Sequence, residues 1–458
     1  MLHRCVALAL LLAFAGGRLE GQKQGPGSTL WTFDTRAPSF GSGAAGDIDG
    51  DGKPEVVFGT YFNGEHVYAL NGEDGSLAWK FKSRGGPIDT SILIHDVNGD
   101  QKLEVIFGDS ARGVLFCLDG AGKEVWTFQG QSGTDSPAAA ADLDGDGTVE
   151  VVYGTMKVRR GGARVNVLAG KTGQLVWSVE VPGHVQSEPG LVDVNGDGVL
   201  DVLVTSWRGD DRLRALSGKD GTELWHFEVG DWVYHGVSFH DFDRDRRPEI
   251  VVADRKGSVW LLAGETGKPV WKAGIEGEKP GQVFGPTTLV DSNGNGVPEI
   301  AVAGRNLHLL DARTGKVRWR TNLPGKTTIM RGAATADVNG DGKPELVFAQ
   351  DRTVYVLAAA TGKILWTRSV AVRNDPQEYI KSAPLLVDLD GDGRLDIFMV
   401  TGRADGRRPQ REQNYGQAFA LRGGAPRAGQ ALPWLTFRGS PRRGGQVLPP
   451  DPPARREL

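Results

Sequence analysis

The chain has 458 residues, 39% of them hydrophobic and 24% charged, within the range of water-soluble globular proteins. Its 53 basic and 57 acidic side chains leave a net charge of −4, which argues against a dedicated nucleic-acid binder, and no nucleic-acid partner is expected. The 66 glycines follow no collagen-like period, so they call for frequent turns.

From the N-terminus, Met1 to Arg4 is a short basic start and Cys5 to Ala15 an unbroken apolar run, closing on the small residues of Ala13-Phe14-Ala15. This pattern predicts a cleaved signal peptide over residues 1–21. About 11 apolar residues are too few to cross a ~30 Å hydrocarbon core, so no transmembrane segment is expected after its removal. The mature chain is expected to be secreted, periplasmic or at the cell surface. It then keeps one thiol, Cys117, and no disulfide. Cys117 lies in the strand-like run Val114 to Leu118 and reads as a small buried hydrophobe.

Leu30-Trp31-Thr32-Phe33 comes next, and two features then alternate along the chain. The first is an acidic nonapeptide running from Asp47 to Glu55, which returns at Asp96, Asp142, Asp193, Asp241, Asp291, Asp337 and Asp388 with spacings of 46 to 51 residues. The second is a strand, a Gly-containing turn and a Trp strand, ending at Trp79, Trp126, Trp177, Trp225, Trp271, Trp319 and Trp366. Each unit reads as four short strands. In the last copy Ser382 to Leu389 is strand one, Leu395 to Val400 strand two and Gln417 to Leu421 strand three. Four strands per period of about 48 residues predict an all-β fold, a β-propeller of eight four-stranded blades. It is expected to fill residues 28–437 as a single monomeric domain, with residues 438–458 as a disordered Pro/Arg-rich tail. Leu30 to Phe33 and Pro433 to Phe437 both have the pattern of the outer strand that would close the ring, and the sequence leaves that choice open.

Within each nonapeptide, oxygen-bearing side chains occupy positions 1, 3, 5 and 9. The eight sets are Asp47, Asp49, Asp51, Glu55; Asp96, Asn98, Asp100, Glu104; Asp142, Asp144, Asp146, Glu150; Asp193, Asn195, Asp197, Asp201; Asp241, Asp243, Asp245, Glu249; Asp291, Asn293, Asn295, Glu299; Asp337, Asn339, Asp341, Glu345; and Asp388, Asp390, Asp392, Asp396. A hard Ca²⁺ ion takes six to eight oxygens, and alternate residues of a tight loop can wrap it. Several Ca²⁺ ions, up to eight, are therefore the expected cofactors. Twenty-seven of the 57 acidic residues lie at these positions, so the near-neutral total conceals carboxylate clusters that repel one another without a cation. The loop at Asp96 has Gln101 at position 6 and that at Asp241 has Arg246, where the others have Gly, and the loop at Asp291 has only two acids. These three are expected to bind weakly or not at all.

The loops, with Phe58-Gly59, Phe107-Gly108 and Tyr153-Gly154 after strand two, resemble the FG-GAP repeats of integrin α-subunit propellers. The segments Thr266-Gly267 to Trp271 and Thr361-Gly362 to Trp366 resemble the Trp-docking repeats of pyrroloquinoline-quinone propellers. Both resemblances imply architecture, and neither implies a function. The quinone enzymes of that class carry a cysteine pair beside the cofactor, which one cysteine cannot make.

A ligand is expected on the face opposite the acidic loops, where connection lengths vary: Lys157 to Arg164, Trp207 to Arg212, Arg373 to Lys381 and Arg403 to Tyr415. Residues just before strand one should ring the central funnel: Asp89, Asp135, Gln186, Tyr234, His235, Arg331 and Lys381. Arg159, Arg160, Arg164, Arg407, Arg408 and Arg411 can flank an anionic partner, and Trp232 and Tyr379 suit sugar stacking or inter-blade packing. No catalytic residue is assigned. The expected role is a non-catalytic binding or adhesion module for an extracellular glycan or protein. The alternative is a polysaccharide lyase resembling the calcium-binding, eight-bladed rhamnogalacturonan lyases, with Lys381, Arg331, Tyr234 or His235 as base.

Overall fold

The computed structural model describes residues 25–62, 64–84, 86–275, 282–404 and 414–424. The predicted signal peptide, residues 425–437 and the predicted tail at 438–458 lie outside them, as do Arg407, Arg408 and Arg411. Every regular element among the described residues is a β-strand. After β1 (Thr29–Asp34), blade I is an antiparallel meander of β2 (Ala44–Gly46), β3 (Glu55–Gly59), β4 (His66–Asn71) and β5 (Leu77–Lys82), and blades II to VII repeat it. The ring of eight four-stranded blades is the predicted β-propeller.

The chain folds this way because strands two and three are apolar on both faces. Every residue of β3 is buried, and blades stack face to face, with Val57, Val67 and Ala69 of blade I packing against Ile94, Val105 and Phe116 of blade II. The outermost strand is wet on one side: β5 alternates exposed and half-buried residues.

Blade VIII settles how the ring closes. Its strands are Leu385–Val387, Asp396–Arg403 and Tyr415–Leu421, and β1 supplies the outermost position by pairing antiparallel with Tyr415–Leu421. Trp31 lies opposite Ala420 in that register. Joining the two ends of the chain in one sheet removes the open edges a linear array would present. The innermost strand is shorter than the predicted Ser382 to Leu389. The stretch Arg373 to Lys381, read as a plain connection, contains a short strand, Glu378–Ile380, paired with the far end of Asp396–Arg403.

Among the described residues, tryptophan locks seven of the eight blade junctions. The indole N–H groups of Trp31, Trp79, Trp126, Trp177, Trp225, Trp271 and Trp319 donate at 2.7–2.9 Å to a carbonyl in the next blade's outer turn. Each ring lies against that turn's glycine, as Trp177 does against Gly221, whose φ is +77°. A Cβ on Gly221 would stand 2.5 Å from Val179 Cγ2 and 2.8 Å from the Trp177 ring, so only glycine fits both the backbone angle and the contact.

Candidate functional site

The acidic loops join strands one and two on one face, beside the Trp-docking turns: Asp49, Asp51 and Glu55 share a groove with Asn71, Glu73 and Asp74. One hydrogen-bond scheme shapes all eight. The position-1 Asp accepts the position-6 amide at 2.8–2.9 Å. The position-9 carboxylate accepts the position-2 amide at 2.9–3.2 Å. Position 6 therefore needs a left-handed backbone, which Gly52 adopts at φ +87°. Gln101 (φ +67°) and Arg246 (φ +75°) adopt it as well, so the loops at Asp96 and Asp241 keep the shared geometry despite lacking that glycine.

Carboxylate oxygens converge within 4.8 Å in four loops: Asp47, Asp49, Glu55; Asp142, Asp144, Asp146; Asp241, Asp243, Asp245; and Asp388, Asp390, Asp396. Asp388 Oδ1 is a buried acceptor with no hydrogen-bond partner. The position-9 acids are buried at the foot of the cluster. Burial first, then repulsion from loop neighbours, pushes Glu55, Glu104, Glu249 and Asp396 up to about 7, Glu345 to about 8 and Asp201 to about 6. Oxygen-only donors, an orphaned acceptor and strained carboxylates are the chemistry a Ca²⁺ ion satisfies. The residues fit the ion.

The opposite ends of the innermost strands meet at the axis. The residue four places before strand one is Phe40, Asp89, Asp135, Gln186, Tyr234, Phe284, Met330 and Lys381 in blades I to VIII. Arg331 follows Met330 and reaches Asp89 across the mouth at 3.2 Å. Lys381 Nζ stands 4.4 Å over the Phe40 ring, and Gln186 Nε2 donates to Asp135 Oδ2 at 2.6 Å. Burial pushes Asp135 up to about 7, helped by repulsion from nearby Asp89, and burial lowers Lys381. Tyr61, which the sequence reading missed, packs its ring 5.0 Å from Phe40 and lies within electrostatic reach of Asp89, Asp135 and Tyr234.

Other predicted residues lie elsewhere or in closed contacts. His235 is buried, with Nδ1 3.8 Å from Glu188 Oε1. The Tyr234 ring packs 5.2 Å from Trp207 and 5.7 Å from Phe284. The Trp232 ring has Arg255 at 4.3 Å and Arg208 at 5.4 Å, so it works as a packing contact and not as an open sugar platform. Arg164 bonds Gln131 and Ser178 on its own rim, and Arg159 and Arg160 are exposed. Cys117 is a buried free thiol, raised by burial.

A ring of blades joined by Trp docking and carrying acidic hairpin loops defines a repeat propeller of the quinone-propeller type. The family model described as outer membrane protein assembly factor BamB matches residues 111–280 and 255–429, more than half of the chain, and the chain belongs to that PQQ-repeat family. The FG-GAP-like repeat model matches residues 47–107. Among curated proteins, protein FAM234B of Gallus gallus is 29% identical over 142 residues, covering 27% of this chain and only 22% of that protein.

Among solved structures, the V. cholerae biofilm matrix protein Bap1 is similar with a TM-score of 0.62 at 16% identity, over 87% of this chain and 91% of that one. BamB from Moraxella catarrhalis gives 0.51 at 16% identity, over 84% and 100%. A quinohemoprotein alcohol dehydrogenase from Pseudomonas putida HK5 gives 0.58 at 15% identity, over 88% and 77%. At such identities these likenesses establish the fold alone. Among the described residues no helix is long and apolar enough to cross a membrane.

Proposed function

We propose that this chain is an exported, calcium-binding propeller that acts as a non-catalytic binding or adhesion module for a glycan or protein outside the cytoplasm. The observation that carries this reading is the division of the ring into two chemically different faces. One face repeats a single acidic loop eight times, a scaffold pattern. The other draws side chains of six types from the eight blades to a common mouth, joined across the axis by Asp89 and Arg331. Repetition suits calcium holding the ring together, and variety suits recognition.

Each residue eligible as a lyase base is already engaged. Lys381 stands over Phe40, Arg331 pairs with Asp89, His235 is buried beside Glu188, and Tyr234 packs between Trp207 and Phe284. These contacts support binding over turnover. A location outside the cytoplasm is supported by the apolar N-terminal run and by the names of the matched proteins, an outer membrane assembly factor and a biofilm matrix protein.

The test is a glycan array with and without chelator, paired with an absorbance assay for unsaturated product on pectin-type polysaccharides. Binding without turnover, weakened by Asp89→Ala, is expected. Turnover that disappears in Lys381→Ala or His235→Ala would overturn the reading.

A further inference from the structure

The eight repeats act as internal controls for one another, and blade VI departs from the rest at two linked places. Its acidic loop keeps only Asp291 and Glu299 as acids at the four ligand positions. The residue before each docking tryptophan is Leu30, Ala78, Val125, Val176, Leu224, Val270 and Leu365 in the other seven blades, and Arg318 in blade VI. Where the loop has the fewest carboxylates, the adjoining strand carries a guanidinium.

The geometry connects the two changes. Arg318 Nη1 is 2.6 Å from Glu299 Oε1, and its Nη2 donates to Asp311 Oδ2 at 2.8 Å. Glu299 also accepts from Asn293 Nδ2 at 2.5 Å, from Ser292 Oγ at 2.5 Å and from the Ser292 amide at 2.9 Å. The buried carboxylate is thus satisfied on both oxygens, with its charge met by a guanidinium that bridges it to Asp311. A second guanidinium approaches from blade V, where Arg244 Nη2 donates to the Asn295 carbonyl at 3.1 Å. Blade VIII also meets an arginine, since Arg422 Nη1 is 2.7 Å from Asp390 Oδ2. That loop nevertheless keeps four acids, and Asp388 Oδ1 stays buried without a partner.

We infer that Arg318 is a built-in cation for the blade VI loop, which therefore takes no calcium and holds its shape without it. A Ca²⁺ ion there would have to expel a guanidinium paired with two carboxylates, with only two acids and two neutral amides to bind in return. The calcium set is confined to the seven other loops, and blade VI is a permanently closed segment of the ring.

Hydrogen exchange on the full-length protein, with calcium and with chelator, tests this. In the wild type, chelation should speed exchange by about tenfold or more in peptides spanning the loops at Asp47, Asp142 and Asp388, and leave the 291–299 peptide within about twofold. Arg318→Gln should speed exchange in the 291–299 peptide by about tenfold whether or not calcium is present, and Arg318→Lys should do so less. A wild-type 291–299 peptide that responds to chelator as the other loops do would overturn the inference, as would an Arg318→Gln protein unchanged there. The wild-type comparison rests on the calcium reading of the other loops. If none of them responds, that reading fails, while the Arg318→Gln comparison still decides this one.

Discussion

Asp89 and Arg331 stand 242 positions apart in the chain and 3.2 Å apart in space, one in blade II and the other in blade VII, so their ion pair crosses the mouth of the ring. Their side chains are only 19% and 12% exposed, which shields the pair from solvent screening. Arg331→Met should strand the buried Asp89 carboxylate and destabilise the protein by about 3 kcal/mol, whereas Asp89→Asn combined with Arg331→Met should cost clearly less. A double-mutant cycle of denaturant midpoints measures the difference. Additive losses would mean that the two residues do not couple.

The mouth also sets a pH dependence. Asp135 is held at about 7 by burial, above its unfolded value near 4, so the native state binds this proton more tightly than the unfolded chain. The stability it contributes is complete below about pH 4 and is lost as pH rises through about 7. Asp135→Asn, which stays neutral and keeps an acceptor for Gln186 Nε2, should match the wild type only below about pH 4, pull ahead in stability between about pH 4 and 7, and keep that lead at about pH 8. The gap should grow at up to about 1.4 kcal/mol per pH unit. Thermal unfolding in saturating calcium across this range isolates the effect, and parallel curves would contradict it.

The Trp docking is testable through its two halves. Trp177→Phe keeps a ring but removes the indole donor to Gly218, and should cost about 1 kcal/mol. Gly221→Ala forces a Cβ into that ring at a positive φ, and should cost more, about 2–3 kcal/mol. Urea denaturation orders the two variants. The reverse order would mean that the hydrogen bond, and not the close approach, holds adjacent blades together.

Much of this was legible in the sequence because a propeller repeats its own evidence. Eight nonapeptides and a recurring Trp strand carried the blade count, the strand order and the face on which each motif lies. Ring closure was not legible, since Trp31 and Trp434 share a local pattern and the choice depends on pairing between distant ends of the chain. That the loops at Asp96 and Asp241 keep the shared backbone was not legible, because Gln101 and Arg246 accept an angle that their side chains disfavour, held there by the position-1 aspartate. Of the mouth, the sequence showed Asp89 and Arg331 but not that they meet. Phe40 and Phe284 were readable by counting four places back from strand one in every copy, and Tyr61 lay outside that register. Arg318 was missed, although its signal was plain: it is the only charged residue immediately before a docking tryptophan in the eight blades.

Calcium as the clasp of the scaffold is the central claim, and thermal unfolding in saturating calcium and in excess chelator tests it most directly. Each site occupied at a hundred times its dissociation constant adds about 2.7 kcal/mol to the native state. Several sites acting together should therefore raise the melting temperature by roughly 10 °C or more over the chelated protein. A melting temperature that is the same in calcium and in chelator would contradict the account.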